Sequence, residues 1–193
     1  NQDAPIPYDE DAMIRVAVAG AAGRMGQTLV SACQIHESFT LTHAFERSGH
    51  ESIGQAADEL AGSTGNGPVI SDSIDGAPFD VLIDFTSPKA SLSNLAFCAD
   101  HGLRAVVGTT GFDESQKQRM TELSENTAVV WAPNMSVGVN ICLKLLELAA
   151  GAFGDDVDIE VIEAHHRHKV DAPSGTALKM GEVLARTLGR TLE

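Results

Sequence analysis

The chain has 193 residues, 43% hydrophobic and 21% charged, a composition typical of a globular protein with one core, or with one domain and part of a second. Its net charge of −14 argues against partners such as nucleic acid or an anionic membrane, and no apolar run is long enough to span a bilayer. Three widely separated cysteines, Cys33, Cys98 and Cys142, favour buried free thiols in a reducing, cytoplasmic compartment over disulfides or a metal site.

The N-terminal third reads as a leader followed by one βαβ unit. Residues 1–12 are acidic and contain two prolines, so we expect a disordered leader, and no basic segment before an apolar stretch indicates a signal peptide. A β-rich run at 14–19 stops at Gly20, and a helix over 25–35 and a strand over 40–45 follow.

The same alternation of strand and helix continues to residue 135. A polar, glycine-rich segment, 48–68, is expected to carry a short helix at 55–60. Strands are predicted over 81–85, 105–107 and 128–131. Ser87 is predicted to cap the helix that begins at Pro88 and runs to about His101, and Asp113 with Gln116 has the spacing of a capping box. This order predicts an α/β fold with a Rossmann-type parallel sheet, in which ligands bind at the carboxyl ends of the strands.

From residue 136 onward the chain is predicted to leave this sheet. Apolar residues at helical spacing predict a helix over 136–150, followed by a strand over 159–164 and a loop over 165–173. Ser174 is then expected to cap a final helix.

The turn from Gly20 to Gly26 follows the first strand and opens the first helix. It resembles G-x-G-x-x-G, except that Ala22 occupies the second glycine position, and such a turn can also be a tight β–α connection without a ligand. Glu46 ends the second strand, where an acid can bind ribose hydroxyls, and Arg47 can pair with a 2′-phosphate. The alternative is that both are solvated loop charges. Together they predict a site that tolerates NADH and NADPH.

A basic segment, residues 165–169, stands out in this acidic chain. Five consecutive histidine, arginine and lysine residues precede Ser174, Gly175 and Thr176 at a helix N-terminus. A surface loop or an adventitious metal site is the alternative, but the spacing disfavours zinc, and we expect no metal. The charges and hydroxyls favour a small dicarboxylate, and His and Lys side chains can supply a proton for the reduction of a C=N bond.

Five motifs resemble the 4-hydroxy-tetrahydrodipicolinate reductase (dihydrodipicolinate reductase) family. They are the glycine turn, Asp84–Thr86, Gly108–Phe112, Asn134–Asn140 and the long, specific Glu163–Ala177 segment. The resemblance extends from residue 13 to the end. It implies reduction of a cyclic dicarboxylate made from aspartate semialdehyde and pyruvate to tetrahydrodipicolinate, with NADH or NADPH, in the diaminopimelate route of lysine biosynthesis.

The resemblance also implies roles for individual residues. His165 corresponds to the acid/base and Lys169 to the proton donor. Substrate contacts are expected at His166, Ser174, Gly175 and Thr176. Cofactor contacts are expected at Gly20, Ala21, Ala22, Gly23, Arg24, Met25, Glu46, Arg47, Gly108, Thr109, Thr110, Ala132, Pro133, Asn134 and Met135.

The implied domains are the leader 1–12, a dinucleotide-binding Rossmann domain 13–135, and the N-terminal part of an α+β substrate-binding domain 136–193. Members of the family continue for several tens of residues and form homotetramers, so we expect this chain to be a fragment or a truncated form. Two alternatives stay open: a related reductase or dehydrogenase acting on another imino or amino diacid, and a sensor module that binds NAD(H) without turnover.

Overall fold

The computed structural model describes residues 13–64, 66–165, 167 and 172–192, so the predicted leader lies outside the described residues. The chain divides into two compact units, with the boundary between Trp131 and Ala132.

The first unit is built on a five-stranded sheet in which every described pairing is parallel. The strands are β1 (Ile14–Ala19), β2 (Phe39–Phe45), β3 (Val81–Asp84), β4 (Arg104–Val107) and β5 (Val129–Trp131), in the order β2-β1-β3-β4-β5. The helices are α1 (Arg24–Ile35), α2 (Ala57–Leu60), α3 (Pro88–His101) and α4 (Glu114–Ser124). The α/β, Rossmann-type fold class is therefore confirmed. The direction of strand addition reverses between β1 and β3, which creates a topological switch point.

The core of this unit lies on both faces of the sheet. Val16 and Val18 of β1 belong to one buried cluster with Val30 of α1, and Ala17 and Ala19 belong to the other. Successive side chains of a strand point to opposite faces, so the two clusters flank the sheet. α3 and α4 complete the second cluster with Leu95, Cys98, Met120 and Leu123. Helices on both faces let β1 bury side chains in two directions, whereas the edge strand β5 leaves Val130 and Trp131 exposed.

The pairing of β1 with β2 contains one irregularity. Val16 is paired with Leu41 and Ala17 with His43, so Thr42 is an extra residue on β2. The Thr42 hydroxyl donates a hydrogen bond to the Pro78 carbonyl at 2.9 Å. The irregularity has the form of a β-bulge, with one residue left out of the ladder.

The predicted helix caps of the first unit are confirmed. Ser87 accepts a hydrogen bond from the Ala90 amide, and Pro88 occupies the first turn of α3. Asp113 accepts from the Gln116 amide at 2.8 Å, while the Asp113 amide donates to the Gln116 side chain at 2.9 Å. These reciprocal bonds satisfy amides at the start of α4 that have no partner within the helix.

The second unit contains α5 (Val137–Phe153) and α6 (Gly175–Thr187), which pack against each other. Ser136 and Ser174 cap the two helices by accepting from Val139 and Ala177. The strand predicted over residues 159–164 is wrong, because the structure assigns no strand there. A β-rich run becomes a strand only beside a neighbour that supplies ladder hydrogen bonds, and the described strands all belong to the other unit's sheet.

α5 leaves one apolar face uncovered. Val137, Ile141, Leu145 and Leu148 recur at helical spacing and are exposed. The expectation that all three cysteines are buried holds for Cys33 and Cys98 but is wrong for Cys142, which is exposed. An apolar helical context does not bury a residue when the face that carries it has no covering element. Within the described part of the chain, no helix combines the length and apolarity needed to cross a bilayer.

Candidate functional site

A cleft of about 580 Å³ opens at the switch point of the first unit. It brings together the end of β1, the end of β2 and the start of α3. Three residues that the sequence singled out, Gly20, Glu46 and Arg47, line this cleft. The other lining residues, which were not among the expected cofactor contacts, are Ala19, Phe45, Asp72, Ser73, Ile74, Thr86, Ser87, Ala90, Ser93 and Asn94.

The glycine turn forms a cradle that side chains would fill. Gly20 has φ +65°, and a Cβ there would lie 2.9 Å from Thr86 Cγ2. A Cβ on Gly26 would lie 2.1 Å from the Gly20 carbonyl oxygen, so α1 begins in direct contact with the turn. The left-handed backbone at Gly20 and the close approach of backbone atoms at Gly26 each require glycine. Such a cradle allows the backbone to approach a diphosphate.

The amide groups of the turn are already engaged within the protein. The Gly20 and Ala21 amides donate to the Phe45 carbonyl, and the Gly23 amide donates to the Gly20 carbonyl. The Ala22 amide donates to Glu46 Oε1 at 3.2 Å. No side chain caps α1, so an anion would find its donors in the first turn of α1, which begins at the exposed residues Arg24 and Met25.

The carboxylate of Glu46 is held at the rim of the cleft. Oε1 accepts from Ala22 and Oε2 accepts from the Arg47 amide at 3.2 Å. A carboxylate has about four acceptor positions, so each oxygen retains capacity for a ligand hydroxyl. Arg47 is exposed. This arrangement places an acceptor and a cation next to one another on the cleft wall.

A fully buried carboxylate, Asp84, lies below the cleft at the end of β3. Oδ1 accepts from the Thr86 amide at 2.9 Å and from the Thr86 hydroxyl at 2.6 Å. Ser91 Oγ donates to Oδ1 at 3.0 Å, and Asn94 Nδ2 donates to Oδ2 at 2.8 Å. The sequence reasoning did not assign a role to this group. Burial, and to a smaller extent the charge of Asp84, raises the pKa of the Cys98 thiol to about 12.

The loop after β4 contains the predicted residues Gly108, Thr109 and Thr110. A Cβ on Gly108 would lie 1.9 Å from the Phe85 ring, so this position also requires glycine. Thr109 is buried, with Oγ1 lying 2.8 Å from Ser91 Oγ, while Thr110 is exposed. The Thr109 side chain therefore faces the interior, and a cofactor contact at this residue would involve its backbone.

The second unit holds the described part of the basic segment. Glu163 accepts a hydrogen bond from the Ser174 amide at 2.8 Å, and its other oxygen lies 3.4 Å from His165 Nδ1. Ser174 is buried and its hydroxyl caps α6, whereas Gly175 and Thr176 lie in the first turn. The predicted residues His166 and Lys169 lie outside the described residues.

A cavity of about 560 Å³ lies between the 159–163 segment and α6. Its lining is largely apolar, with Ile159, Val161, Leu178 and Leu184 among the contributing side chains. His165, Gly175 and Thr176 do not line it. Arg190 is the cation among the described lining residues, and Glu163 lines the cavity as well, so none of the described residues of the basic segment contributes to it.

The predicted cofactor residues Ala132, Pro133, Asn134 and Met135 belong to the second unit. Asn134 organises the start of α5, because its side-chain oxygen accepts from the Ser136 amide at 2.9 Å. The Asn134 carbonyl accepts from the Asn140 side chain at 3.1 Å. The segment is thus a structured connection into α5.

Comparison with known proteins gives matches in both units. Residues 14–135 match the family model for dihydrodipicolinate reductase, N-terminus, and residues 138–191 match the model for dihydrodipicolinate reductase, C-terminus. The chain is also similar to dipicolinate-bound dihydrodipicolinate reductase from Paenisporosarcina sp. TG-14. That match has 32% identity and a TM-score of 0.71, and it covers 94% of this chain and 69% of that reductase.

More distant structures share the fold alone. The WlbA dehydrogenase from Bordetella pertussis matches at 17% identity and a TM-score of 0.54, over 77% of this chain and 42% of that one. The scyllo-inositol dehydrogenase from Lactobacillus casei matches at 13% identity and a TM-score of 0.54, over 75% of this chain and 43% of that one.

Proposed function

Because this chain belongs to the dihydrodipicolinate reductase family, we propose that it carries out the NAD(P)H-dependent reduction of 4-hydroxy-tetrahydrodipicolinate to tetrahydrodipicolinate. The observation that carries the proposal is the glycine cradle at the switch point, formed by Gly20 and Gly26 beside Glu46 and Arg47. Family membership supplies the substrate class, and the cradle fits the diphosphate of the dinucleotide that such a reaction uses.

The first unit is proposed to hold NADH or NADPH. The first turn of α1 would bind the diphosphate, and Glu46 would accept hydrogen bonds from ribose hydroxyls. Arg47 would pair with the 2′-phosphate of NADPH. When bound, the reduced dinucleotide supplies a hydride. Replacing Arg47 with Ala should raise KM for NADPH selectively, and equal changes for both cofactors would remove Arg47 from this role.

The basic segment of the second unit is proposed to bind the dicarboxylate. A related reductase binds dipicolinate, a planar dicarboxylate, which supports a diacid as the ligand. His166, Lys169, Gly175 and Thr176 would hold the two carboxylates, with the first-turn amides of α6 as additional donors. Because the Ser174 hydroxyl caps α6, its proposed substrate contact is better made by neighbouring amides than by that hydroxyl.

Proton delivery is proposed for Lys169 with assistance from His165. Glu163 supports this role in two ways. It holds the start of α6 through the Ser174 amide, and its second oxygen faces His165 Nδ1 at 3.4 Å. A carboxylate at Nδ1 orients an imidazole and leaves Nε2, on the far side of the ring, to face a ligand. The pair would thus fix the ring at the edge of the substrate site.

The test is to follow NADH and NADPH oxidation with substrate generated from pyruvate and aspartate semialdehyde. Lys169→Ala should lower kcat about 100- to 10,000-fold, the usual contribution of a general acid, while cofactor binding survives. Lys179→Ala is the matched control, because Lys179 is an exposed lysine of α6 paired with Glu182 at 2.9 Å. Near-normal turnover by Lys169→Ala would eliminate Lys169 as the acid.

The proposal has three further parts. The dinucleotide-binding domain is taken as residues 13–135 and the substrate-binding part as 136–193. The whole protein is proposed to be a homotetramer, and its compartment the cytoplasm. Cofactor binding by the chain without turnover of any diacid would favour the sensor alternative, and turnover of another imino or amino diacid would favour the related-reductase alternative.

A further inference from the structure

Asp84 combines complete burial with neutral hydrogen-bond donors. Its described partners are a backbone amide, three hydroxyls and a side-chain amide, from Thr86, Ser91, Asn94 and, at 3.5 Å, Thr109. A buried carboxylate is costly to desolvate, and its removal would leave these donors without their acceptor. Asp84 therefore holds together the segments that carry the donors, and it does so under the cleft, at the end of the central strand.

We propose that Asp84 is a positioning residue for the dinucleotide cleft, which holds the Thr86 turn against Gly20 and, through Ser91, holds Thr109 in the loop after β4. The inference rests on the proposed function, because it assigns these two segments to the cofactor site. Asp84 itself is fully buried, so it would act through its partners rather than by direct contact with the dinucleotide.

The first connection is to the glycine turn. Asp84 Oδ1 accepts both the amide and the hydroxyl of Thr86, and this double contact fixes the Thr86 side chain. With the hydroxyl directed to Asp84, the Thr86 methyl lies beside Gly20, 2.9 Å from the position of a Cβ there. The carboxylate thereby sets the distance between the end of β3 and the start of the cradle.

The second connection is to the loop after β4. Ser91 Oγ lies 3.0 Å from Asp84 Oδ1 and 2.8 Å from Thr109 Oγ1, so one hydroxyl links the two. The Thr109 carbonyl accepts from Trp131 Nε1 at 3.2 Å, which extends the network to the end of β5. The chain of contacts crosses the ends of three neighbouring strands.

The third connection is to the cleft wall. Asn94 lines the cleft and donates its Nδ2 to Asp84 Oδ2 at 2.8 Å. Because a carboxylate only accepts, it selects the amide orientation in which the NH₂ group faces Asp84. The Asn94 side-chain oxygen is then the acceptor on the other side. Asp84 thus also determines which polar atom Asn94 has left for a ligand.

The test compares two buried carboxylates of the same unit in the full chain. Asp84→Asn places an NH₂ group among donors, and Asp58→Asn does the same at a fully buried aspartate that accepts from the Glu59 and Gly67 amides, away from the cleft lining. Dissociation constants for NADH and NADPH are measured by calorimetry, together with Tm. Asp84→Asn should weaken both cofactors about 10- to 100-fold, whereas Asp58→Asn should lower Tm comparably and leave affinity unchanged.

A second readout does not depend on a bound cofactor. Hydrogen exchange should accelerate in Asp84→Asn at the amides of Thr86 and of residues 108–110, and should stay at the wild-type rate at the α1 amides. Ser91→Ala removes little volume and takes away the hydroxyl that bridges Asp84 and Thr109, while the Thr86 bonds and the 3.5 Å contact between Thr109 Oγ1 and Asp84 Oδ1 stay. It should accelerate exchange at 108–110 but not at Thr86, with a loss of cofactor affinity of about 3- to 10-fold.

The outcomes separate this inference from the proposed function. If wild type binds and oxidises NAD(P)H while Asp84→Asn binds both cofactors with unchanged affinity, the positioning role is overturned and the proposed function stands. If wild type binds neither dinucleotide, both are overturned. Equal losses of affinity in Asp84→Asn and Asp58→Asn would also overturn the inference, because general destabilisation would then account for the effect.

Discussion

The two units differ in how completely they cover their own apolar surface. The first buries side chains on both faces of its sheet, including Val16, Val18 and Leu82. In the described part of the second, the buried hydrophobic residues are Ala150, Val183 and Leu184, while α5 exposes a full stripe. A sheet between two helical layers has neighbours in every direction, whereas two packed helices cover only one side of each other. The first unit therefore has a self-contained core, and the part of the second unit that the structure describes does not.

The largest expected difference is in thiol reactivity. Cys33 and Cys98 are buried in the first unit, where burial raises the pKa of both thiols, and Cys142 is exposed on α5. A disulfide reagent at pH 8 should modify Cys142 at least about 1,000-fold faster than Cys98, because the thiolate is the reactive form. Stopped-flow absorbance should show one fast equivalent, which Cys142→Ser abolishes. Similar rates at all three thiols would contradict the contrast between the units.

The next largest difference is in the free energy of unfolding that is lost when a large apolar side chain is truncated in each unit. Leu82→Ala removes a side chain that is 1% exposed in the first unit and should lower the free energy of unfolding by about 2–5 kcal/mol. Leu145→Ala, at 58% exposure on α5, should change it by less than about 0.5 kcal/mol. Urea denaturation measures both. A loss at Leu145 as large as that at Leu82 would mean that the α5 stripe is covered in solution.

Two helical glycines should respond in opposite directions. Gly26→Ala places a Cβ 2.1 Å from the Gly20 carbonyl and should cost about 1–3 kcal/mol of stability, with weaker NAD(P)H binding. Gly151→Ala on α5 makes an ordinary 3.7 Å contact with Thr187 and should add about 0.4–1 kcal/mol. Thermal unfolding and cofactor titration of the pair report both effects. An unchanged affinity in Gly26→Ala would argue against the cradle.

The smallest effect concerns the cap of α4. The Ser115 hydroxyl, followed by the Gln116 amide, lowers the pKa of Asp113. A carboxyl whose pKa is lower in the folded state stabilises the fold above its unfolded pKa of about 3.9 and loses that contribution as pH falls through the folded value. The Tm difference between wild type and Asp113→Asn should therefore shrink from pH 7 to pH 2. Ser115→Ala, which removes the largest cause, should reduce the pH-dependent part.

Local sequence signals predicted most helices and strands of the first unit, because residues at the ends of these elements mark where each one begins and stops. β1 has the predicted bounds, and α3 begins after Ser87 and ends at His101 as predicted, since a cap, a proline and a terminal glycine mark it. The second unit shows where such signals stop. The β-rich run 159–164 would need a neighbouring strand to pair with, and Cys142 would need a covering surface to be buried. The local sequence does not show whether either is present.

Part of the candidate site could be predicted from the sequence, because the carboxyl ends of parallel strands meet at one edge of the sheet. Gly20, Glu46 and Arg47 follow β1 and β2 directly, and the structure brings them to one cleft. Asp84 was missed because it closes an apolar strand and its partners come from a helix, Ser91 and Asn94, spaced three residues apart on one face. A carboxylate at the end of a buried strand is a signal that could have found it. The roles of His165, His166 and Lys169 stay predictions.

The bulge at Thr42 has a consequence for how β2 can change length. Because the extra residue is absorbed there, the three residues before Glu46 are in register with Ala17, Val18 and Ala19. Deleting Thr42 would be an in-frame loss of one codon that removes the bulge and leaves this register intact, because Leu41 and His43 already pair with consecutive residues of β1. Inserting a residue between His43 and Phe45 would instead displace the acceptor and the cation at the end of β2 by about 3.3 Å, the rise of one strand residue, and turn their side chains to the opposite face of the sheet unless a second bulge formed. The strand should therefore tolerate the loss of Thr42 better than the gain of a residue near its end.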